Sequence, residues 1–446
     1  LTNQVGETSL KSKNIMKLLL SLSVTLLLCH LCKALGPYTV CFYDATGVER
    51  EGLAKFSLTD LETALDYCTH LIYGYVGLNP ENFRLATLNH ERDVKGRHFL
   101  KVTALKEKFP YVKFLLSVGG DRDLGGSDKY IELLEGGPEK QQNFIESANY
   151  LAKSLDFDGI DLAFQLPRNK PKKVHSTPGM AWKSIKKVFT GDFIVDPQAD
   201  IHKEQFTELV KKLKKSFADS DLLLSLTVLP NVNSSWYFNV PALINNVDFV
   251  NLATFDFTTP DRNPHEADYT APIYAPTLEG NRLPHYNIDY QIEHWTSQRF
   301  PKTKINVGIA TYGRAWKMTK DSKDEGYPII PATAGPADAG VQTKVPGLLS
   351  WPEICLRLQP KAQHFLRRFA DPTKKYGTYA FRAADENGEH GTWVSYDDPE
   401  VAATKAGYVN TKGLGGVALF DLTLDDFRGQ CTGDKFPILR AIKYKL

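Results

Sequence analysis

Net charge is the first thing this sequence lacks. Lys and Arg number 54 against 52 Asp and Glu in 446 residues, so overall charge gives no footprint for nucleic acid and only local patches are left to steer a partner. Its N-terminal apolar run, LLLSLSVTLLL at residues 18–28, falls short of the roughly 20 residues a membrane-spanning helix needs. No glycine-rich phosphate fingerprint follows the first predicted strand, which argues against a nucleotide-binding open sheet. Once the leader is set aside, Cys41, Cys68, Cys355 and Cys431 remain, and none of these pairs has C-x-x-C spacing. No metal and no cofactor is therefore expected. Disorder is excluded too, because a chain 42% hydrophobic and 24% charged has the composition of an ordinary globular protein.

The same apolar run, preceded by Lys17 and followed by small and polar residues up to Ala34, has the order of a secretory signal peptide over 16–34. Residues 1–15 precede Met16 and read as an extraneous leader. The expectation is a secreted, extracellular protein with no membrane span in the mature chain. Removing 1–34 takes away Lys11, Lys13, Lys17 and Lys33 against Glu7 alone, so the mature chain is still nearly neutral. Four cysteines in an oxidising compartment predict two disulfides with three possible pairings, the sequence-local one being Cys41–Cys68 with Cys355–Cys431. The sequon NSS makes Asn233 a glycosylation candidate.

What is present is a series of short β-branched or aromatic runs: YTVCFYD, HLIYGYVGL, VKFLLSVGG, FDGIDLAF, LLLSLTVLP, VDFVNLATFDF, KINVGIATYG and GGVALFDL. Apolar nearly throughout, they read as buried parallel strands. Between them, Phe144, Ile145, Ala148, Leu151, Ala152 and Leu155, and again Phe206, Leu209, Val210, Leu213 and Phe217, follow helical spacing. Eight such alternations predict an α/β fold, a (β/α)8 TIM barrel over 35–316 and 397–446. Residues 317–396 are long enough for a small α+β insertion domain between strands 7 and 8. Residues 166–202 read as an elaborated loop on the functional face, with Arg168, Lys170, Lys172, Lys173, Lys183, Lys186 and Lys187 around Trp182. That patch suits acidic glycans or a protein partner, but a charge run is more often a solvated loop.

Chemistry concentrates in the fourth run, FDGIDLAFQ. Period-2 alternation predicts that Asp161, Ala163 and Gln165 face the barrel interior, with Gln165 nearest the mouth. Aspartates in an apolar strand are costly unless paired or functional. FDGIDLAFQ resembles the D-G-x-D-x-D-x-E signature of glycoside hydrolase family 18, the chitinases and chitinase-like proteins. LLSVGG, ATFDF, GIATYGRAW, PGLLSWPEIC, WVSYDD and GGVALFDLTLDDFRGQC are similar to other segments of that family, in the same order. The resemblance implies substrate-assisted glycoside hydrolysis, in which the final Glu protonates the leaving oxygen and the Asp before it holds the substrate's N-acetyl group. Those two positions are Gln165 and Ala163 here, with Asp158 and Asp161 retained, so no catalytic residue is expected.

By the same resemblance, aromatic sugar platforms fall at Thr46, Asp121 and Phe420, and the sixth-strand Met and Tyr become Ala253 and Phe255. Asp256 and Tyr312 are kept. Asp256, Tyr312, Phe420 and Phe255 are thus the candidate ligand-binding residues, for weak or altered glycan binding rather than tight chitin binding. Within the family the chain resembles the insect imaginal disc growth factors, which implies a role in cell proliferation, development and tissue remodelling through a cell-surface receptor or matrix component. The alternatives are a chitin- or oligosaccharide-binding lectin of the extracellular matrix or cuticle, and an active glycosidase with altered chemistry that uses Asp161 or a neighbour as its acid.

Overall fold

The computed structural model describes residues 36–168, 196–277, 282–322 and 328–446. The expected leader and signal peptide lie outside the described residues, as do positions 169–195 of the lysine-rich loop. Each of the eight apolar runs supplies one strand. These are β1 (Tyr38–Asp44), β2 (His70–Leu78), β3 (Lys113–Gly119), β4 (Gly159–Ala163), β5 (Leu223–Val228), β6 (Phe249–Leu252), β7 (Ile305–Ala310) and β8 (Gly416–Phe420). They pair in parallel in chain order, and β8 returns to β1, closing the barrel. A short strand, Leu85–Thr87, adds antiparallel to β2.

Alternation along the strands sorts the side chains into two environments. Tyr43, Tyr73, Leu116, Leu162 and their equivalents point outward into one large core. There they meet Phe144, Ile145, Ala148 and Ala152 of helix Gly137–Ser154 and Phe206, Leu209, Val210 and Leu213 of helix Ala199–Ser216. These are the apolar spacings read from the sequence. The other parity fills the barrel. Val40, Phe42, Ile72, Leu115, Phe249, Ala418 and Phe420 form a separate inner cluster, floored by Tyr38, His70 and Phe249, whose ring centroids lie 4.8–5.7 Å apart. Burial there pushes the His70 imidazole down to about 4, so the floor is neutral.

The inner wall from β3 to β7 is polar, which the apolar look of the strands conceals. Ser117, Ser225 and Thr227 donate to Asp161 at 2.7, 2.6 and 2.8 Å. Asn251 donates to Thr227 at 3.1 Å, and Asn306 to Asn251 at 3.0 Å. One chain of hydrogen bonds thus crosses five neighbouring strands away from water, ending at Asn306, whose buried Oδ1 has no partner among the described residues.

Between β7 and β8 the chain builds a second, antiparallel sheet from Tyr312–Met318, Leu348–Ser350, Arg367–Ala370, Thr378–Arg382 and Gly391–Tyr396. It begins at Tyr312, directly after β7 and upstream of the boundary expected at 317, because that strand pairs with Gly391–Tyr396 over most of its length. One face buries Trp316, Met318, Phe381 and Trp393. Against the other lies helix Trp351–Arg357, whose Ile354 and Cys355 share the core with Ala315, Ala380 and Val394. Cys41 is bonded to Cys68, and Cys355 to Cys431 beyond β8.

Candidate functional site

The two retained aspartates lie away from the barrel mouth, one just before β4 and one inside its wall. Asp158 sits at the strand's N-terminal end, accepting from the Phe114 backbone N–H at 2.8 Å and lying 3.2 Å from Lys106 Nζ. Asp161 is fully buried, and both its oxygens are engaged by the three hydroxyls of the inner wall. Burial raises its carboxyl above the ordinary range against those hydrogen bonds. With no exposed surface and both oxygens hydrogen-bonded, Asp161 ties β4 to its neighbouring strands from within the barrel wall.

Gln165 departs from the expected inward line. Strand β4 ends at Ala163, so Gln165 escapes the alternation and turns its amide onto the loop after β3. There Nε2 donates to the carbonyl of Gly120 and, at 2.8 Å, to that of Asp123. The loop makes those carbonyls available because Gly119 and Gly120 have φ of 103° and 62°. A Cβ at either would run into the Ala163 carbonyl or the Tyr75 ring. Ala163 is fully buried and accepts from the Gly120 N–H at 2.9 Å. Asp123 is tied in turn to Tyr130, Lys129 and the Leu78 N–H, and Arg168 pairs with Asp121 across the same gap. The ends of β3 and β4 are therefore clasped together.

Across the mouth, Asp256 follows β6 with φ of 55°, its carbonyl held by Asn231 Nδ2 at 2.6 Å. Its carboxylate receives Tyr312 Oη at 2.8 Å and Arg314 Nε at 3.0 Å, with Arg314 Nη2 closing a bidentate pair. Burial, then the Asp256 charge, puts the Tyr312 phenol well above its usual range. Burial alone would lower the Arg314 guanidinium, but Asp256 outweighs it and holds it charged. The structure thus brings Asp256 and Tyr312 together. It places Phe255 and Phe420 beside them but nearly closed off, at 4% and 8% exposure. Phe420 stacks on Phe42 with centroids 3.9 Å apart, and Phe255 leans on Phe420 at 5.0 Å. These rings plug the barrel and offer little face for a sugar to stack on.

Of the other positions where the resemblance expects platforms, Thr46 donates to Asp44 at 2.7 Å and Asp121 is taken by Arg168; Ala253, at the place of the sixth-strand Met, is buried at 6% exposure. The sequence reading missed Arg314, although it lies two residues from Tyr312 on one strand and so shares its face. It also missed the pair Arg122–Asp44, 2.6 Å apart, and Asp421, which burial and then the Asp44 charge raise to about 6. Asn233 caps helix Ser234–Tyr237, its Oδ1 accepting from the Ser235 N–H at 3.0 Å. No metal-binding cluster and no helix able to cross a membrane occurs among the described residues.

The profile of Glycosyl hydrolases family 18 matches residues 38–425, nearly the whole barrel and its insertion. The chain belongs to that family. Within it, Chitinase-like protein Idgf3 of Drosophila melanogaster is 57% identical over 419 residues, covering 92% of this chain and 95% of that protein. Chitinase-like protein Idgf2 of the same fly is 58% identical over 416 residues, covering 91% and 94%. Among solved structures, catalytic domain 2 of the Ostrinia furnacalis Group II chitinase superposes with a TM-score of 0.77 at 29% identity, covering 92% of this chain and 96% of that one. This family-18 chain is thus a chitinase-like protein on the chitinase barrel.

Proposed function

We propose that this family-18 chain is a secreted, catalytically inactive chitinase-like protein that acts as a growth factor in cell proliferation, development and tissue remodelling, through a cell-surface receptor or matrix component. The observation that carries this reading is the end of β4. Its amide at Gln165 has no proton to transfer at neutral pH and is spent on two backbone carbonyls, and Ala163 has no carboxylate to hold an acetamide. General acid catalysis alone contributes on the order of 10² to 10⁴ in rate. The Idgf relatives support the signalling half of the reading, the two disulfides support an oxidising compartment, and glycosylation at Asn233 belongs to the same proposal.

Purified protein added to cultured insect cells is expected to stimulate proliferation dose-dependently, and no response at any dose counts against the signalling role. The double substitution Ala163→Asp with Gln165→Glu is expected to restore at most a trace of chito-oligosaccharide turnover, because Phe42, Phe255 and Phe420 still plug the barrel. A second reading, an oligosaccharide-binding lectin, is favoured by the Asp256, Tyr312 and Arg314 cluster. In that case calorimetric titration with chito-oligosaccharides gives saturable heat that Asp256→Ala abolishes.

A further inference from the structure

Helix Trp351–Arg357 is short and covers only part of the sheet face it packs on. Beyond its last residue the face is open, leaving a cavity of about 380 Å³ whose walls include Lys317, Asp338, Arg357, Arg382, Glu389 and Thr392. The register explains why these groups meet. Thr392 is directly opposite Lys317 on one neighbouring strand and Arg382 on the other, so the three form a row on one face. Arg357 enters from the helix end, and the exposed His364 and His390 complete the rim. The volume lies within the range of small-molecule sites.

The charges are unevenly matched. Lys317 reaches Asp338 at 3.2 Å, but that carboxylate is 92% exposed. Arg382 holds Glu389 at 2.8 Å through Nη2, while its buried Nε has no partner. Among the described residues Arg357 has no ion-pair partner. An uncompensated guanidinium beside an unpartnered donor favours an anion, and guanidinium geometry suits carboxylate or sulfate. Glu389 Oε1 is shared by Arg382 and by His364 at 3.2 Å, but its other oxygen, the second oxygen of Asp338 and the Thr392 hydroxyl on the same walls offer acceptors that a bare inorganic anion would leave unused, whereas a sugar ring's hydroxyls would satisfy them.

We propose that this cavity of the second sheet is a binding site for an acidic sugar, its carboxylate or sulfate held by Arg357 and Arg382 and its hydroxyls by Glu389, Asp338 and Thr392. The site is separate from the barrel mouth and goes beyond the function proposed above.

The test is calorimetric titration of the full chain with a glucuronate-containing tetrasaccharide without sulfate, a heparin tetrasaccharide and neutral chitotetraose. At least one acidic oligosaccharide is expected to bind saturably and to weaken as salt rises; which of the two binds identifies the anionic group. Arg357→Gln should lower that affinity at least tenfold. His390→Glu, at an exposed rim position that does not threaten folding, should lower it as well, with both variants keeping the wild-type melting profile. Any response to chitotetraose should be unchanged in both, which separates this site from the mouth. Absence of binding by both acidic oligosaccharides overturns the proposal, as does unaltered affinity in Arg357→Gln and His390→Glu.

Discussion

Gln165 differs from a glutamate by one nitrogen, and its two carbonyl partners make that nitrogen matter. The amide satisfies Gly120 and Asp123, whereas a carboxylate would place negative oxygen against both and leave them without a donor. Gln165→Glu is therefore expected to cost about 2 kcal/mol, read as a lower urea midpoint at neutral pH, and to gain no hydrolytic activity by itself. Asp421 tests the electrostatics of the mouth. Its carboxyl titrates at about 6 in the folded protein against about 3.9 for an unfolded aspartate. The folded state thus binds the extra proton, and stability falls as pH rises from about 4 through 6. Asp421→Asn removes that loss. It should stabilise the protein by on the order of 1–2 kcal/mol at pH 7 and by little at pH 4, checked by urea unfolding at the two values.

Among the elements, the strands were legible because burial on both sides makes their sequences continuously apolar, and the outer helices because only one stripe of each is buried. Strand ends were not. Pro167 marks a place where pairing cannot continue, yet β4 stops at Ala163, since the following residues find partners in the loop after β3. The second sheet likewise starts at Tyr312, because cross-strand pairing, invisible in local composition, recruits the residues that leave β7. The bond between Cys355 and Cys431 spans 76 residues and ties the insertion's helix to the segment after β8. Replacing both with serine should lower stability by about 3–4 kcal/mol through the freed unfolded chain, seen as a lower denaturant midpoint, with the barrel's far-ultraviolet signal retained.

For the whole molecule, the order of family-like segments along the chain made the architecture readable, and Ala163 and Gln165 stood out as departures from the family motif. Tertiary choices were not open to that reading. Arg122 meets Asp44 from a separation of 78 residues, and nothing in the local sequence shows that Phe420 stacks on Phe42 and that Phe255 leans on Phe420. The mouth of this barrel is held by the β3–β4 clasp on one side and the Asp256–Arg314 pair on the other, and the proposed function requires that this frame carries out no hydrolysis. The direct test is turnover of chito-oligosaccharides by the unmodified protein, measured from pH 4 to 9 at micromolar concentration alongside an active family chitinase. No cleavage above the buffer blank is expected at any pH. Cleavage within about a hundredfold of the active enzyme, the low end of what a general acid supplies, would overturn the proposed inactivity.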